Sequence, residues 1–185
     1  MYSEALRRAE EYARSQGLSI EGQIGGGTQG AVFRTSRGTA VKALLDASFY
    51  IRERDVYLRL RTLEIDQIRG FWVPRLVSHH DDLLIVEMET VHPPYVLDFA
   101  SAYLDHPPSY MRDSDDAHVR ENWEREKEEQ FEDRWPEVRS LVSAFRRHGI
   151  YLGRLRAFQI HCLCHIGTCR SLKQLWETEI WTGVL

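Results

Sequence analysis

Alternating apolar and polar positions predict three β-strands near the start of the chain. The alternation covers residues 18–24, 31–35 and 39–44, and a turn-forming run separates the second stretch from the third. Glycines separate the first stretch from the second. The first two strands are therefore predicted to pair in an antiparallel sense.

Apolar residues at helical spacing predict a helix on each side of these strands. The first is predicted at residues 2–16, where Gly17 ends it. The second is predicted at 46–63, with arginine and glutamate between its apolar positions.

Three further segments of the second half are predicted to be helical or exposed. Residues 96–104 favour a short helix, and the charge-rich residues 113–134 indicate an exposed helix or a mobile connector. A last helix is predicted to begin at Trp135 and to end at His148. Its buried stripe is predicted to be Val138, Leu141, Val142 and Phe145.

The glycines between the first two strands carry the first chemical signal. Gly25, Gly27 and Gly30 stand in a G-x-G-x-x-G-x-V pattern that Val32 completes, and such glycines let a backbone approach an anion closely. A dinucleotide-binding loop is excluded because these glycines lead into a strand and not into a helix. A P-loop is excluded because Ala31 stands where that motif requires lysine.

Two charged residues follow the glycines. Lys42 lies in the apolar run Ala40-Val41-Lys42 of the third predicted strand and is one of only three lysines in the chain. It supplies a compact point charge there, although an edge-strand lysine that reaches water is the ordinary alternative. Glu53 lies in the helix predicted at 46–63, where a solvated carboxylate would need no explanation. The order of glycine loop, lysine strand and glutamate helix favours a joint role in binding phosphate.

In this order the three elements resemble the small lobe of the protein kinase fold. In that family the loop covers the phosphates of ATP, the strand lysine holds the α- and β-phosphates, and the helix glutamate braces the lysine. Residues 72–77 and 83–89 are similar to the fourth and fifth strands of that lobe. The resemblance implies an α+β protein with two parts. Residues 1–91 would form an N-terminal lobe with a five-stranded antiparallel sheet and an αC-type helix, and 92–185 a truncated, mainly helical C-terminal lobe.

The resemblance also implies a binding site for ATP. Its hinge would be Glu89-Thr90-Val91, with backbone groups of Glu89 and Val91 against the adenine ring and Met88 at the back of the pocket. The implied nucleotide-binding residues are Gly25, Gly27, Gly30, Val32, Ala40, Lys42, Glu53, Met88, Glu89 and Val91.

The region expected to transfer the phosphoryl group departs from the family. Arg154 stands in place of the aspartate that accepts the substrate proton, and Gln159 in place of the asparagine that holds magnesium. A guanidinium has no acceptor lone pair, so Arg154 can neither act as a base nor attract Mg²⁺. No aspartate follows Asp133, so the D-F-G motif is missing. We therefore expect a pseudokinase-like domain that binds ATP, is impaired in catalysis and lacks the usual ligands for Mg²⁺.

Two alternatives to this interpretation concern the same fold. An active, atypical phosphotransferase could use Glu177 or Glu179 as a metal ligand. The chain could also be an incomplete kinase fragment, because only residues 160–185 follow the expected catalytic loop. Aromatic residues such as Tyr103 and Trp135 would then face solvent, unless the remnant repacks or a protein partner covers it.

A third alternative is a small zinc-binding module in the tail. Residues 161–169 contain every cysteine of the chain and two histidines: His161, Cys162, Cys164, His165 and Cys169. These are suitable donors for zinc, but the C-x-C spacing is not that of a structural site, and a remote second pair is missing. Reduced, partly buried cysteines in a β-prone segment are the simpler interpretation.

Composition and net charge exclude several classes of protein. The chain has 185 residues, 43% of them hydrophobic and 28% charged, enough for one sizeable core or two small lobes. No apolar stretch approaches the roughly 20 residues that span a bilayer, and the first residues are charged, so a cytoplasmic protein without a membrane partner is expected. A net charge of -4 argues against nucleic acid as a partner.

Overall fold

The computed structural model describes residues 2–90, 99–109 and 117–153 of the chain. Helices and strands alternate in the first range and helices dominate the last. In chain order the elements are α1 (Tyr2–Ser15), β1 (Ile20–Gly27), β2 (Gly30–Thr35), β3 (Ala40–Leu44), α2 (Ala47–Thr62), β4 (Gln67–Ile68), β5 (Phe71–Trp72), β6 (Leu76–His80), β7 (Ile85–Met88), β8 (Ala102–Leu104), α3 (Ala117–Phe131), a 3-10 turn (Glu132–Arg134), α4 (Trp135–Arg147) and β9 (Ile150–Leu152).

Five strands form one antiparallel sheet in the order β1-β2-β3-β7-β6. The coarse prediction of an α+β protein with a five-stranded antiparallel sheet is therefore confirmed. Helices pack on both faces of this sheet. The apolar side of α1 covers one face, where Ala9 and Tyr12 lie against Phe33 and Val41, and α2 covers the other.

Helix α2 is defined by its caps and by one buried stripe. The Asp46 side chain accepts a hydrogen bond from the backbone N–H of Ser48 and so satisfies a donor that the first turn leaves unpaired. Leu63 follows the last turn. The buried positions recur at helical spacing on the side that faces the sheet: Tyr50, Glu53, Val56, Tyr57 and Leu60. The helix predicted at residues 46–63 is confirmed to within one residue at each end.

The fourth predicted strand was placed too early in the chain. The strand that joins the sheet is β6, which begins at Leu76, whereas Trp72 belongs to the separate β4-β5 hairpin. Pro74 lies between the two, and a proline has no N–H to donate to a strand ladder. The fifth predicted strand, at residues 83–89, contains β7.

The helix predicted at residues 96–104 is wrong where the structure describes it. Residues 102–104 form strand β8, which pairs with β9 through Ala102 opposite Leu152 and Leu104 opposite Ile150. A short apolar run does not distinguish helix from strand, and a partner nearly fifty positions away decides between them here. The helix predicted from Trp135 to His148 is confirmed as α4, and residues 117–131 of the charge-rich segment form α3.

One apolar cluster joins α2 and the sheet to α4, β8 and β9. Tyr57 of α2 packs edge-to-face on Phe99, which packs in turn on Phe145 of α4. Trp135 is only 5% exposed, because Phe131 stacks on it and Trp123 meets its edge. Trp135 therefore does not face solvent, which is the outcome expected if the remnant repacks. Residues 92–153, where described, supply enough apolar surface to bury this ring.

Among the described residues, none of the helices combines the length and the apolar character that crossing a bilayer requires.

Candidate functional site

Strand register places several of the predicted site residues on one face of the sheet. Val32 lies opposite Gly25 on one side and Lys42 on the other, and Lys42 lies opposite Val86 of β7. Directly opposed residues of antiparallel strands point to the same face, and so do residues two apart. Val32, Ala40, Lys42 and Met88 therefore share the face that α2 covers.

Lys42 and Glu53 meet between the sheet and α2. The ammonium Nζ lies 2.9 Å from Oε1 and 2.7 Å from Oε2 of Glu53. The lysine side chain is 10% exposed and the glutamate side chain 2%. Helical spacing puts Glu53 on the buried stripe of α2, one turn before Tyr57, so a carboxylate faces the strand where an apolar residue would otherwise pack.

A buried ion pair such as this one contributes little net free energy to the stability of the fold. Removing both charges from water costs several kcal/mol per ion, and an apolar pair of similar volume is often as stable or more so. The stability of the fold therefore does not by itself explain a lysine and a glutamate in these positions. The arrangement offers an oriented positive charge on β3, which β2 separates from the glycine-rich β1.

The glycine-rich segment is a continuation of strand β1 and not a separate loop. Strand β1 runs through Gly27, and the chain reverses at Thr28-Gln29. The carbonyl oxygen of Gln29 accepts a hydrogen bond of 3.0 Å from the N–H of Leu45, which ties this turn to the connection between β3 and α2. The glycine hairpin is thereby attached to the connection that directly follows β3.

The structural reason for glycine differs among the three positions of the motif. A Cβ at Gly30 would lie 2.4 Å from the carbonyl oxygen of Ala43, so packing of β2 on β3 requires glycine there. A Cβ at Gly27 would meet nothing within 4 Å, and at Gly25 only the Val32 side chain at ordinary contact distance. Neither Gly25 nor Gly27 has a positive φ. The fold leaves room for a Cβ at both positions, so close approach by a ligand would account for their being glycine.

Strand β7 ends at Met88, and Glu89 of the predicted hinge follows it directly. The Tyr57 hydroxyl donates to Sδ of Met88 at 3.2 Å, which fixes Met88 against α2. The N–H of Glu89 donates to the carbonyl oxygen of Arg75 at 2.9 Å. A ligand at this strand end would therefore meet the carbonyl oxygen of Glu89 before its amide. Val91 lies outside the described residues.

A buried polar network that the sequence analysis missed lies on the opposite face of the sheet. Glu87, 1% exposed, accepts hydrogen bonds from the Tyr12 hydroxyl at 2.7 Å and the Thr39 hydroxyl at 2.5 Å, and Thr39 contacts Thr35 at 2.6 Å. Burial raises the pKa of Tyr12 to about 12, and the hydrogen bond to Glu87 acts in the same direction. The network joins α1 to the sheet. A glutamate inside an apolar strand was its one signal in the sequence.

Two polar contacts at the ends of α2 were also missed. Near its start, the Tyr50 hydroxyl donates to Asp81 at 2.5 Å and Arg54 donates to the same carboxylate at 3.1 Å. These hydrogen bonds lower the pKa of Asp81. Near its end, Arg59 binds Asp105, and this contact lowers the pKa of Asp105. Sequence offers no signal for either pair, since each joins residues far apart in the chain.

The remaining predicted site residues lie outside the described part of the chain. They are Arg154 and Gln159 of the expected catalytic loop, the alternative metal ligands Glu177 and Glu179, and the cysteine-rich segment 161–169. Within residues 2–90, 99–109 and 117–153, no group of three or more His, Cys, Asp or Glu side chains converges as a metal site would require.

Comparison with known proteins finds no family model that matches the chain, and no curated protein matches it.

Proposed function

We propose that the chain is a kinase-like ATP-binding domain that is impaired in phosphoryl transfer. The glycine-rich hairpin would cover the phosphates, Lys42 would neutralise them, and Glu53 would keep the ammonium group oriented. The strand end at Met88 and Glu89 would meet the adenine ring. Magnesium would have few ligands, because Gln159 replaces the usual asparagine and no aspartate follows Asp133 to form a D-F-G motif.

The buried Lys42–Glu53 pair carries this proposal. Both oxygens of Glu53 lie within 3 Å of Nζ, and an ion pair so nearly excluded from water is costly unless its charge has a use. A bound phosphate would give the ammonium an anionic partner in addition to Glu53. Loop amides and one lysine can bind phosphates without the chemistry that metal ligands and a general base supply.

The open space at Gly25 and Gly27 supports the same interpretation. Neither position is crowded by the protein itself, and neither requires a left-handed backbone. Their strand lies next to β2, whose Val32 is directly opposite Lys42. A triphosphate between the hairpin and Lys42 would therefore be close to both.

The test is titration calorimetry with ATP, with and without Mg²⁺, on the wild type and on the double variant Lys42→Met, Glu53→Gln. The double variant removes the ammonium group without leaving a buried carboxylate alone, so a loss of binding is separable from a loss of folding. Charge-assisted hydrogen bonds contribute about 1.5–3 kcal/mol, so affinity should fall about 10- to 100-fold. Lys127→Met is the matched control, since Lys127 lies on α3 and should leave affinity unchanged.

Two results would contradict the proposal. One is the absence of any heat of ATP binding in the wild type. The other is an equal affinity of the wild type and the double variant. Turnover of ATP labelled at the γ-phosphate, measured on the same samples, separates an impaired domain from an active phosphotransferase.

A further inference from the structure

Helix α2 is attached to the second half of the chain by a three-point contact at Arg59. Its guanidinium donates Nη1–H to Oδ1 of Asp105 at 2.9 Å and Nη2–H to Oδ2 at 2.8 Å, a bidentate geometry. The same Nη1 lies 3.3 Å from the carbonyl oxygen of His148, the C-cap residue of α4. A cation at this helix end also interacts favourably with the helix dipole.

The acceptor side of this contact is built by the backbone. Asp105 has a φ of 62° and donates its N–H to the carbonyl oxygen of Gly149 at 2.7 Å. Gly149 has a φ of 72°, and a Cβ there would lie 2.7 Å from Oδ1 of Asp105 and 3.0 Å from Nη1 of Arg59. A side chain at this position would thus displace the ion pair. Glycine leaves the space that the contact occupies.

A second arginine of α2 contacts the same strand. The guanidinium carbon of Arg52 lies 4.6 Å from the centre of the Tyr103 ring on β8. Arg52 and Arg59 are seven residues apart, two helical turns, and therefore share one side of α2. Glu53 lies between them in sequence, six residues or roughly 9 Å along the helix from Arg59.

We propose that Arg59 and Asp105 are positioning residues, which hold α2 in the orientation that brings Glu53 onto Lys42. The inference rests on the proposed function where it concerns nucleotide, and on geometry alone where it concerns the ion pair. Arg59 and Asp105 are 30% and 58% exposed, and exposed pairs contribute little to stability. Their effect on the position of the helix is therefore separable from an effect on folding.

The experiment observes Lys42 directly by NMR of 15N-labelled lysine side chains, which is simple because the chain has only three lysines. The variants are Arg59→Met, Asp105→Asn and Arg59→Lys, with Arg61→Met as the matched control, since Arg61 is an exposed arginine of the same helix. Loss of the contact should shift or broaden the Lys42 Nζ signal and raise the dissociation constant for ATP by up to about fivefold. Arg59→Lys should restore part of both, and Arg61→Met should change neither.

The two readouts distinguish the two proposals. One outcome is that the Lys42 signal moves in Arg59→Met while the wild type binds no ATP. This outcome supports the positioning role and refutes the nucleotide site. An unchanged Lys42 signal and an unchanged affinity in both Arg59→Met and Asp105→Asn overturn the positioning role, even where the wild type binds ATP. A lower melting temperature with no change in the Lys42 signal likewise overturns it, because it assigns the contact to stability alone.

Discussion

Breaking the Lys42–Glu53 pair from one side should cost far more stability than replacing both residues. Lys42→Met leaves a carboxylate that is 2% exposed without its cation, and Glu53→Gln leaves the ammonium without its anion. Both substitutions keep the length of the side chain, so the packing between β3 and α2 changes little. The difference in unfolding free energy between the single and double variants then reports the effect of charge and not of side-chain volume.

The magnitude follows from burial. Removing one partner of a buried ion pair costs about 3–5 kcal/mol, whereas replacing both partners is close to neutral. Single domains are stable by only about 5–15 kcal/mol, so either single variant should lose a large part of its stability. At about 2–4 °C per kcal/mol for a chain of this size, the melting temperature should fall by roughly 6–20 °C. The double variant should recover most of that loss.

The assay is urea unfolding of the four proteins, followed by tryptophan fluorescence and circular dichroism. The chain has five tryptophans, and buried Trp135 contributes the part of the signal that depends on the core. Arg7→Met serves as the control, because its ion pair with Glu4 lies on the surface and should leave the midpoint almost unchanged. If the two single variants each cost less than about 1 kcal/mol and their effects add in the double variant, the pair is solvated and the reasoning from burial fails.

Three further outcomes are expected. Gly30→Ala should destabilise the protein by about 1–3 kcal/mol, because the new Cβ would crowd the Ala43 carbonyl. Gly27→Ala should leave stability nearly unchanged, because the space around Gly27 is open. Equal urea midpoints for the two variants would contradict this reasoning. Burial raises the pKa of Tyr12 to about 12 in the folded protein, so stability should fall as pH rises from about 10 towards 12. Tyr12→Phe should show a smaller decline in chemical unfolding across that range, because burial also raises the pKa of Tyr50, which keeps its own contribution; an equal decline in both proteins would contradict this. The contact with Arg59 lowers the pKa of Asp105, so the ion pair stabilises the folded protein above the ordinary pKa of aspartate and loses this effect as pH falls. Asp105→Asn should therefore be less stable than the wild type at pH 7 and equally stable near pH 2. A difference in stability that persists in acid would exclude the ion pair as its cause.

Local patterns were sufficient for elements whose signals lie within one helix or strand. The apolar stripe from Val138 to Phe145 and the glycine after His148 delimit α4, and helical spacing delimits α2, because both depend on side chains three or four positions apart. The same reasoning misplaced the strand near Pro74. There the pattern continued through a proline, which has no N–H to donate to a neighbouring strand.

The candidate site was predictable in part because a motif orders its residues along the chain. Lys42 and Glu53 were selected together by resemblance to kinases, and the structure places their charged groups within 3 Å. No local pattern contains that distance. It results from the register of β3 in the sheet and from the side of α2 that packs on it.

Sequence alone determined the helical and strand periodicities, the glycine-rich hairpin and the types of charge available to it, since these depend on neighbours within a few residues. Only the tertiary structure decided that Tyr12 bonds Glu87, that Arg59 bonds Asp105 and that residues 102–104 are a strand. Each of these depends on partners about fifty to seventy-five positions apart. Such contacts form when apolar faces pack, and the free energy that selects them belongs to the whole core and not to any local segment.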